Sequence, residues 1–257
     1  MLGIYLSGTG NSKHCVERFI RLLDDKAKVL PIETENVADA ISNDDFIVVG
    51  YPTQFSNAPL MVRDFIREHG DLWSGKKVFC INTMGAFSGD GTGCTARLFK
   101  KYGADVLGGL QIKMPDSVCD SKLLKKSFET NRKIIEQADE KIENWVEKIK
   151  EGVYPREGLS FFSHIAGLMG QRLWYIKKTA RYSDKLKISD DCIKCGACQK
   201  QCPMNNLVQE GQNKPKQLGK CTMCYRCVSH CPAQAITLLG KNVVEQTTYE
   251  KFASDNI

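Results

Sequence analysis

Two matched cysteine runs constrain this chain more than anything else in it. The first places Cys192, Cys195, Cys198 and Cys202 ahead of Pro203; the second places Cys221, Cys224, Cys227 and Cys231 ahead of Pro232. Each reads C-x2-C-x2-C-x3-C-P, the bacterial iron–sulfur spacing, in which the fourth Cys of a run ligates the other cluster of a pair. Three thiolates two residues apart let a tight turn wrap three corners of a cubane, and the Pro directs the chain onward. The spacing therefore assigns Cys192, Cys195, Cys198 and Cys231 to one [4Fe–4S] cluster. Cys202, Cys221, Cys224 and Cys227 go to a second. Soft thiolates also suit zinc, and C-x2-C pairs build zinc ribbons. A zinc site, however, needs four ligands, and here each run carries four plus the Pro, twice over.

The chain has 257 residues and twelve Cys, of which Cys15, Cys80, Cys94 and Cys119 lie outside the runs. No apolar stretch approaches a bilayer span, and Met1–Ser7 lacks the basic flank and length of a signal peptide. Twelve Cys without an export signal read as thiols and metal ligands rather than disulfides. A cytoplasmic, reducing and anaerobic setting is expected. The formal net charge is +6, and the excess lies beyond residue 152. Two oxidised clusters with their thiolates, at roughly −2 each, offset part of it. Neither nucleic acid nor a membrane surface is the expected partner; a remaining basic face suits an acidic redox protein, donor or acceptor.

Ahead of the cysteines, strands and helices alternate. Short apolar strands are expected at residues 2–6, 29–32, 46–50, 77–81 and 105–112. Helices are expected after the first strand and over 60–69, 96–102 and 121–150. This alternation predicts a parallel sheet covered on both faces, with ligands beyond the carboxyl ends of the strands. The first strand runs into Ser7-Gly8-Thr9-Gly10-Asn11-Ser12 and then a helix, an arrangement that favours an anion through backbone amides and the helix dipole. It matches neither the P-loop nor the dinucleotide fingerprint, and an ordinary βα turn capped by Asn or Ser fits the same residues.

The loop Ser7–Ser12 resembles the flavodoxin phosphate loop, S/T-x-T-G-x-S/T. Two further loops fall where flavodoxins hold the flavin ring. One contains Tyr51, Pro52, Thr53, Gln54, Phe55, Ser56 and Asn57. The other contains Thr83, Met84, Gly85, Ala86, Phe87, Gly89, Asp90 and Gly91. Together with the cysteine runs, the chain is similar to the fused flavodoxin–ferredoxin family of anaerobic bacteria and archaea. The resemblance implies a flavodoxin-like α/β fold, a five-stranded parallel sheet of order 2-1-3-4-5, over 1–152. It implies a helical linker over 153–185 and a small α+β ferredoxin domain over 186–257. It also implies FMN, with Ser7, Thr9, Gly10, Asn11 and Ser12 on the phosphate. Tyr51, Phe55 or Phe87 are candidates to stack on the ring, or equally to fill the core.

Residues 160–178 carry Phe161, Phe162, Ile165, Leu168, Met169, Leu173 and Ile176 at helical spacing, followed by Lys177, Lys178 and Arg181. A linker helix packed between domains is the reading adopted over a membrane-surface helix, since any packed surface helix is amphipathic. A short strand at 235–239 should pair with 187–189, and the tail should dock loosely. His14 reads as a solvated surface residue. His230 is either a surface residue or a group tuning a cluster, and Cys94 reads as a packed thiol. No hydrolytic constellation is present. The expected function is transfer of single electrons between two clusters, FMN and an external redox protein. One alternative is a terminal FMN-dependent reductase, with Tyr51, Asp90 or Asp116 as proton donor; another is a cluster-based redox sensor or docking protein.

Overall fold

A computed structural model describes residues 1–173 and 185–253. Its first half is built from β1 (Leu2–Tyr5), α1 (Asn11–Leu23), β2 (Lys28–Pro31), α2 (Val37–Ser42), β3 (Phe46–Pro52) and α3 (Leu60–Glu68). It continues with β4 (Lys77–Met84), α4 (Gly91–Lys101), β5 (Asp105–Lys113) and α5 (Phe128–Lys150). All neighbouring strand pairs are parallel, in the order β2-β1-β3-β4-β5. That is the flavodoxin-like order, whose switch point lies between β1 and β3.

Successive residues of a strand point to opposite faces, and β3 shows the consequence. Ile47 and Val49 join Leu2, Ile4, Val62, Ile66, Trp73 and Phe99 in one core layer. Val48 joins Val16, Phe19, Ile20, Phe79, Ile81, Ile142 and Val146 in the other. A sheet buried on both faces explains why these strands read as unbroken apolar runs. Each fully buried side chain of this size contributes roughly 1.5–3 kcal/mol.

Three boundaries differ most from expectation. β4 runs on to Met84 because Asn82 and Thr83 still pair with Tyr51 and Pro52 on one side and Gln111 and Ile112 on the other. α4 begins at Gly91, where the weak helix formers Gly91–Thr95 are held by burial rather than propensity. α5 begins at Phe128, with Ser127 Oγ accepting from the Thr130 amide at 3.2 Å. Residues 114–121 instead leave the sheet to meet the second half of the chain.

The expected linker is, over its described part, a strap on the first half. The Gly109 amide donates to Pro155 O at 2.8 Å and the Glu157 amide to Gly109 O at 2.9 Å, adding a parallel bridge beside β5. α6 (Phe161–Gly167) and a π-helical turn at Leu168–Arg172 follow. The apolar stripe does not face inward as expected: Phe161, Phe162, Met169 and Leu173 are exposed, while Gly167 and Arg172 are buried. Arg172 decides this, because its guanidinium is drawn to buried Asp90 and to Ser56 O. Ile176, Lys177, Lys178 and Arg181 lie outside the described residues. Among the described residues no helix is long and apolar enough to cross a membrane.

The second half contains β6 (Lys187–Ile188), α7 (Ala197–Gln201), β7 (Leu207–Val208), β8 (Lys216–Gln217), α8 (Arg226–Ser229) and β9 (Ile236–Thr237). β6 pairs antiparallel with β9, Ile188 opposite Ile236, as the sequence predicts. The cysteine repeat is also a backbone repeat. Lys194 and Met223, Gly196 and Tyr225, and Asn205 and Gln234 occupy equivalent offsets in the two runs, and all six have positive φ. The tail is not loose. α9 (Tyr249–Ala253) returns to the first half, where Phe252 is 1% exposed and Tyr249 stacks on His14 at 4.0 Å. His14 is therefore not a solvated residue; its Nε2 also lies 2.6 Å from Asp139 Oδ1.

Candidate functional site

A solvent-open cleft of about 570 Å³ lies at the carboxyl ends of β1, β3, β4 and β5. Ser7, Gly8, Thr9, Asn11 and Ser12 form one wall, Pro52 and Thr53 a second, and Thr83, Met84 and Gly85 a third. Gly10 shapes the first wall from behind, with φ +89, a conformation that favours glycine. α1 has no side-chain cap and no acidic residue in its first turn, so its free amides and positive dipole end are available to an anion. Ser7 is 8% exposed, and its Oγ has no partner. An unpartnered hydroxyl buried beside a helix N-terminus fits a phosphate oxygen, because a buried polar atom without a hydrogen bond is costly. Ser12 Oγ pairs with Thr83 Oγ1 at 2.7 Å, and Asn11 Nδ2 donates to Pro115 O at 2.8 Å. These two bonds tie the loop to β4 and to the chain beyond β5.

The remaining predicted ring residues do not line this cleft. Gln54 and Asn57 close a tight turn on each other. Gln54 Nε2 donates to Thr222 O at 2.9 Å and Met223 O at 3.2 Å. Phe55 packs on the core of the second half. Ser56 Oγ donates to Gln171 Oε1 at 2.9 Å, and its carbonyl accepts from Arg172. Ala86 and Phe87 are exposed. Gly89 O accepts from Gln111 Nε2, and Gly91 O from the Tyr51 hydroxyl. Asp90, fully buried, is held by Arg97 at 2.5 Å, His164 at 2.8 Å and Arg172.

Asp90 is therefore a structural anchor for the strap rather than a proton donor. Tyr51 is fully buried between Gly91 and Thr95, and burial holds its hydroxyl well above its ordinary pKa. Neither Tyr51, Phe55 nor Phe87 stands in the cleft. Burial likewise raises the Cys94 thiol, reinforced by Asp90, so a packed thiol is what the structure contains.

Two parts of the wall lie outside the loops that the sequence assigns to the cofactor. Residues Met114 to Val118, directly after β5, form the wall facing the glycine loop. The rule that ligands sit past strand carboxyl ends points there, and the sequence offers Asp116 there only as a candidate proton donor. Asp116 is on this wall, and burial raises its carboxyl despite a hydrogen bond from the Val118 amide. The other surprise is Cys224, which lines the same cleft.

The eight run cysteines line two further cavities. One, of about 400 Å³, is lined by Cys202, Cys221, Cys224 and Cys227. The other, of about 320 Å³, is lined by Cys192, Cys195, Cys198 and Cys231. Each set thus takes three thiols from one run and its fourth from the other. Among the described residues, no three His, Cys, Asp or Glu side chains stand as a single-ion site. The thiols surround space instead, which suits a cubane. Backbone amides already point at sulfur: Asn206 N lies 3.2 Å from Cys202 Sγ and Met223 N 3.5 Å from Cys221 Sγ. His230 is exposed, its Nδ1 2.9 Å from Arg226 O, and lines neither cavity.

Residues 185–235 match the family model of the 4Fe-4S dicluster domain. The chain thus joins a flavodoxin-like α/β half to a dicluster segment. No curated protein matches it. Among solved structures it is similar to two-electron reduced flavodoxin from Megasphaera elsdenii, at 24% identity. That match covers 43% of this chain and 85% of that one, with a TM-score of 0.40. It is also similar to a flavodoxin from the domain Archaea (19% identity, 58% and 97% covered, TM-score 0.41). A third likeness is to oxidised flavodoxin 2 from Bacillus cereus (20% identity, 59% and 98% covered, TM-score 0.39). The strand order, rather than these likenesses, defines the fold of the first half.

Proposed function

We propose that this chain is an electron-transfer protein holding FMN in the cleft and one [4Fe–4S] cluster in each cysteine-lined cavity. When bound, FMN accepts one or two electrons and each cluster one. The chain's own residues supply binding, orientation and order. Ser7, Thr9, Asn11 and Ser12 with the α1 amides take the phosphate. Pro52, Thr53, Thr83, Met84, Gly85 and residues 114–118 flank the rest of the cleft. Cys202, Cys221, Cys224 and Cys227 hold one cluster, and Cys192, Cys195, Cys198 and Cys231 the other. One observation carries the reading: Cys224 lines both a cluster cavity and the flavin cleft. A single residue bordering both sites supports transfer between the two groups within one continuous scaffold, with no diffusion between them. Among the cluster thiols, Cys195 is the exposed one, which supports electron exchange with an external redox protein at its cavity.

A terminal reductase is the second reading, favoured by Asp116. It is the one proton-donor candidate on the cleft wall, and its burial keeps the carboxyl protonated to higher pH than usual. Anaerobic reductive titration tests the main reading. Uptake of about four electrons per chain, with flavin and cluster bands both bleaching, is expected. Uptake of about two, without flavin bands after FMN is added, would overturn it. Steady turnover of a quinone, nitroaromatic or enoate would favour the reductase.

A further inference from the structure

We infer that Arg226, in the second cysteine run, positions the phosphate loop of the flavin cleft, so that FMN binding is coupled to the integrity of that run. The inference rests on the reading of the cleft as an FMN site and adds a residue from the other half of the chain. Arg226 Nη2 and Nε donate to Ser7 O at 2.8 and 3.2 Å. Nη1 reaches Glu33 at 2.6 Å, just past β2, and Gln201 O at 3.3 Å. The side chain is 19% exposed. A guanidinium held from three directions is a fixed fork rather than a mobile surface charge.

The Ser7 carbonyl and the Gly8 amide belong to one peptide group. A charged donor on the carbonyl polarises that group and strengthens the amide as a donor, and Gly8 lines the cleft. Two residues on, Thr9 O is taken at 2.7 Å by the Tyr249 amide from the tail. Two carbonyls of the anion loop, Ser7 O and Thr9 O, are therefore held by the C-terminal half. Contact between loop and cysteine run is backbone to backbone: a Cβ at Gly8 would overlap the Cys224 carbonyl oxygen. Arg226 stands between Cys224 and Cys227, so order in the cluster run sets the position of the fork. Coupling of this kind is reciprocal: FMN should stabilise the second run as much as the run favours FMN.

The test compares anaerobically purified wild type with Arg226→Ala, Arg226→Lys and Glu33→Gln. FMN and riboflavin affinities are read by quenching of flavin fluorescence, with iron content measured alongside. Arg226→Ala should weaken FMN binding by on the order of tenfold and leave riboflavin, which lacks the phosphate, unchanged. Arg226→Lys should recover part of the loss, and Glu33→Gln should fall between. In wild type, FMN should slow iron release to a chelator, and in Arg226→Ala it should not. Equal FMN affinity in Arg226→Ala and wild type would overturn the inference, as would equal loss of FMN and riboflavin. If Arg226→Ala fails to retain iron, absence of FMN protection in wild type, together with unchanged FMN affinity in Glu33→Gln, would overturn it. Wild type that binds neither flavin removes the FMN reading itself, and the coupling with it.

Discussion

Asp120 joins the two halves of the chain, and its removal should separate them. It lies beyond β5 in the flavodoxin-like half and is 5% exposed. Its Oδ2 accepts from the amides of Leu238, Leu239 and Gly240 at 2.7, 2.9 and 3.0 Å. Its Oδ1 accepts from the Tyr225 hydroxyl at 2.9 Å. Asp120→Ala strands three amides and a phenol. At about 1–3 kcal/mol each, the sum exceeds what single substitutions usually cost. Water entry should hold the loss near the upper end of that range, about 4–5 kcal/mol. Asp120→Asn keeps one carbonyl oxygen for the three amides, and the phenol can turn to accept from the new NH2. It forfeits only the charge, and about 1–2 kcal/mol is expected, since charge-assisted bonds are roughly twice as strong as neutral ones.

Denaturant unfolding followed separately by cluster absorbance and far-ultraviolet circular dichroism would read this. In both variants the cluster signal should be lost at lower denaturant than the sheet. The acid limb gives a second check. Burial pushes the Asp120 carboxyl up, but the bonds from Leu238, Gly240, Tyr225 and Leu239 outweigh it and hold it below the ordinary range. A depressed native value adds stability above the unfolded value, near 3.9, that disappears as pH falls through the native one. Wild type should therefore lose this contribution only below about pH 4, and Asp120→Asn should lack that part of the acid dependence. A loss below about 1 kcal/mol in Asp120→Ala, or coincident transitions as in wild type, would refute the assignment.

Three other outcomes follow from the structure. Asp90→Ala leaves Arg172 buried without its carboxylate, so about 3–5 kcal/mol should be lost; limited proteolysis should then cut at 160–172 well before wild type is cut. Phe252→Ala removes a ring that is 1% exposed between the tail and α5, and a thermal melt should register about 3–5 kcal/mol. Cys231→Ser should deplete the cluster of the first run, and Cys202→Ser that of the second. Iron should fall to about half in each, with different electron paramagnetic resonance signals surviving; the same surviving signal in both would contradict the crossed assignment.

Much of this protein is legible in its residues because the relevant physics is local. The cysteine spacing is a statement about turns, and the positive-φ positions fall at matching offsets in the two runs. The glycine-rich turn between β1 and α1 is set by Gly10 and a helix start without a cap. The alternation of apolar strands with amphipathic helices determined the parallel sheet and its order through the resemblance it supported. Tertiary structure alone decided which loop residues face the cleft. Pro52, Thr53, Thr83, Met84 and Gly85 do, while Ser56 in the first loop and Asp90 in the second are turned away by Arg172, more than eighty residues later. It also decided that Phe161 and Phe162 face water, that the tail caps α1, and that Cys224 borders the cleft. Burial of a charge must be matched by a partner wherever the fold can bring one, and no local pattern announces which distant residue that will be. The sequence by itself determined the cysteine spacing and the glycine-rich loop; the fold decided what lies beside them.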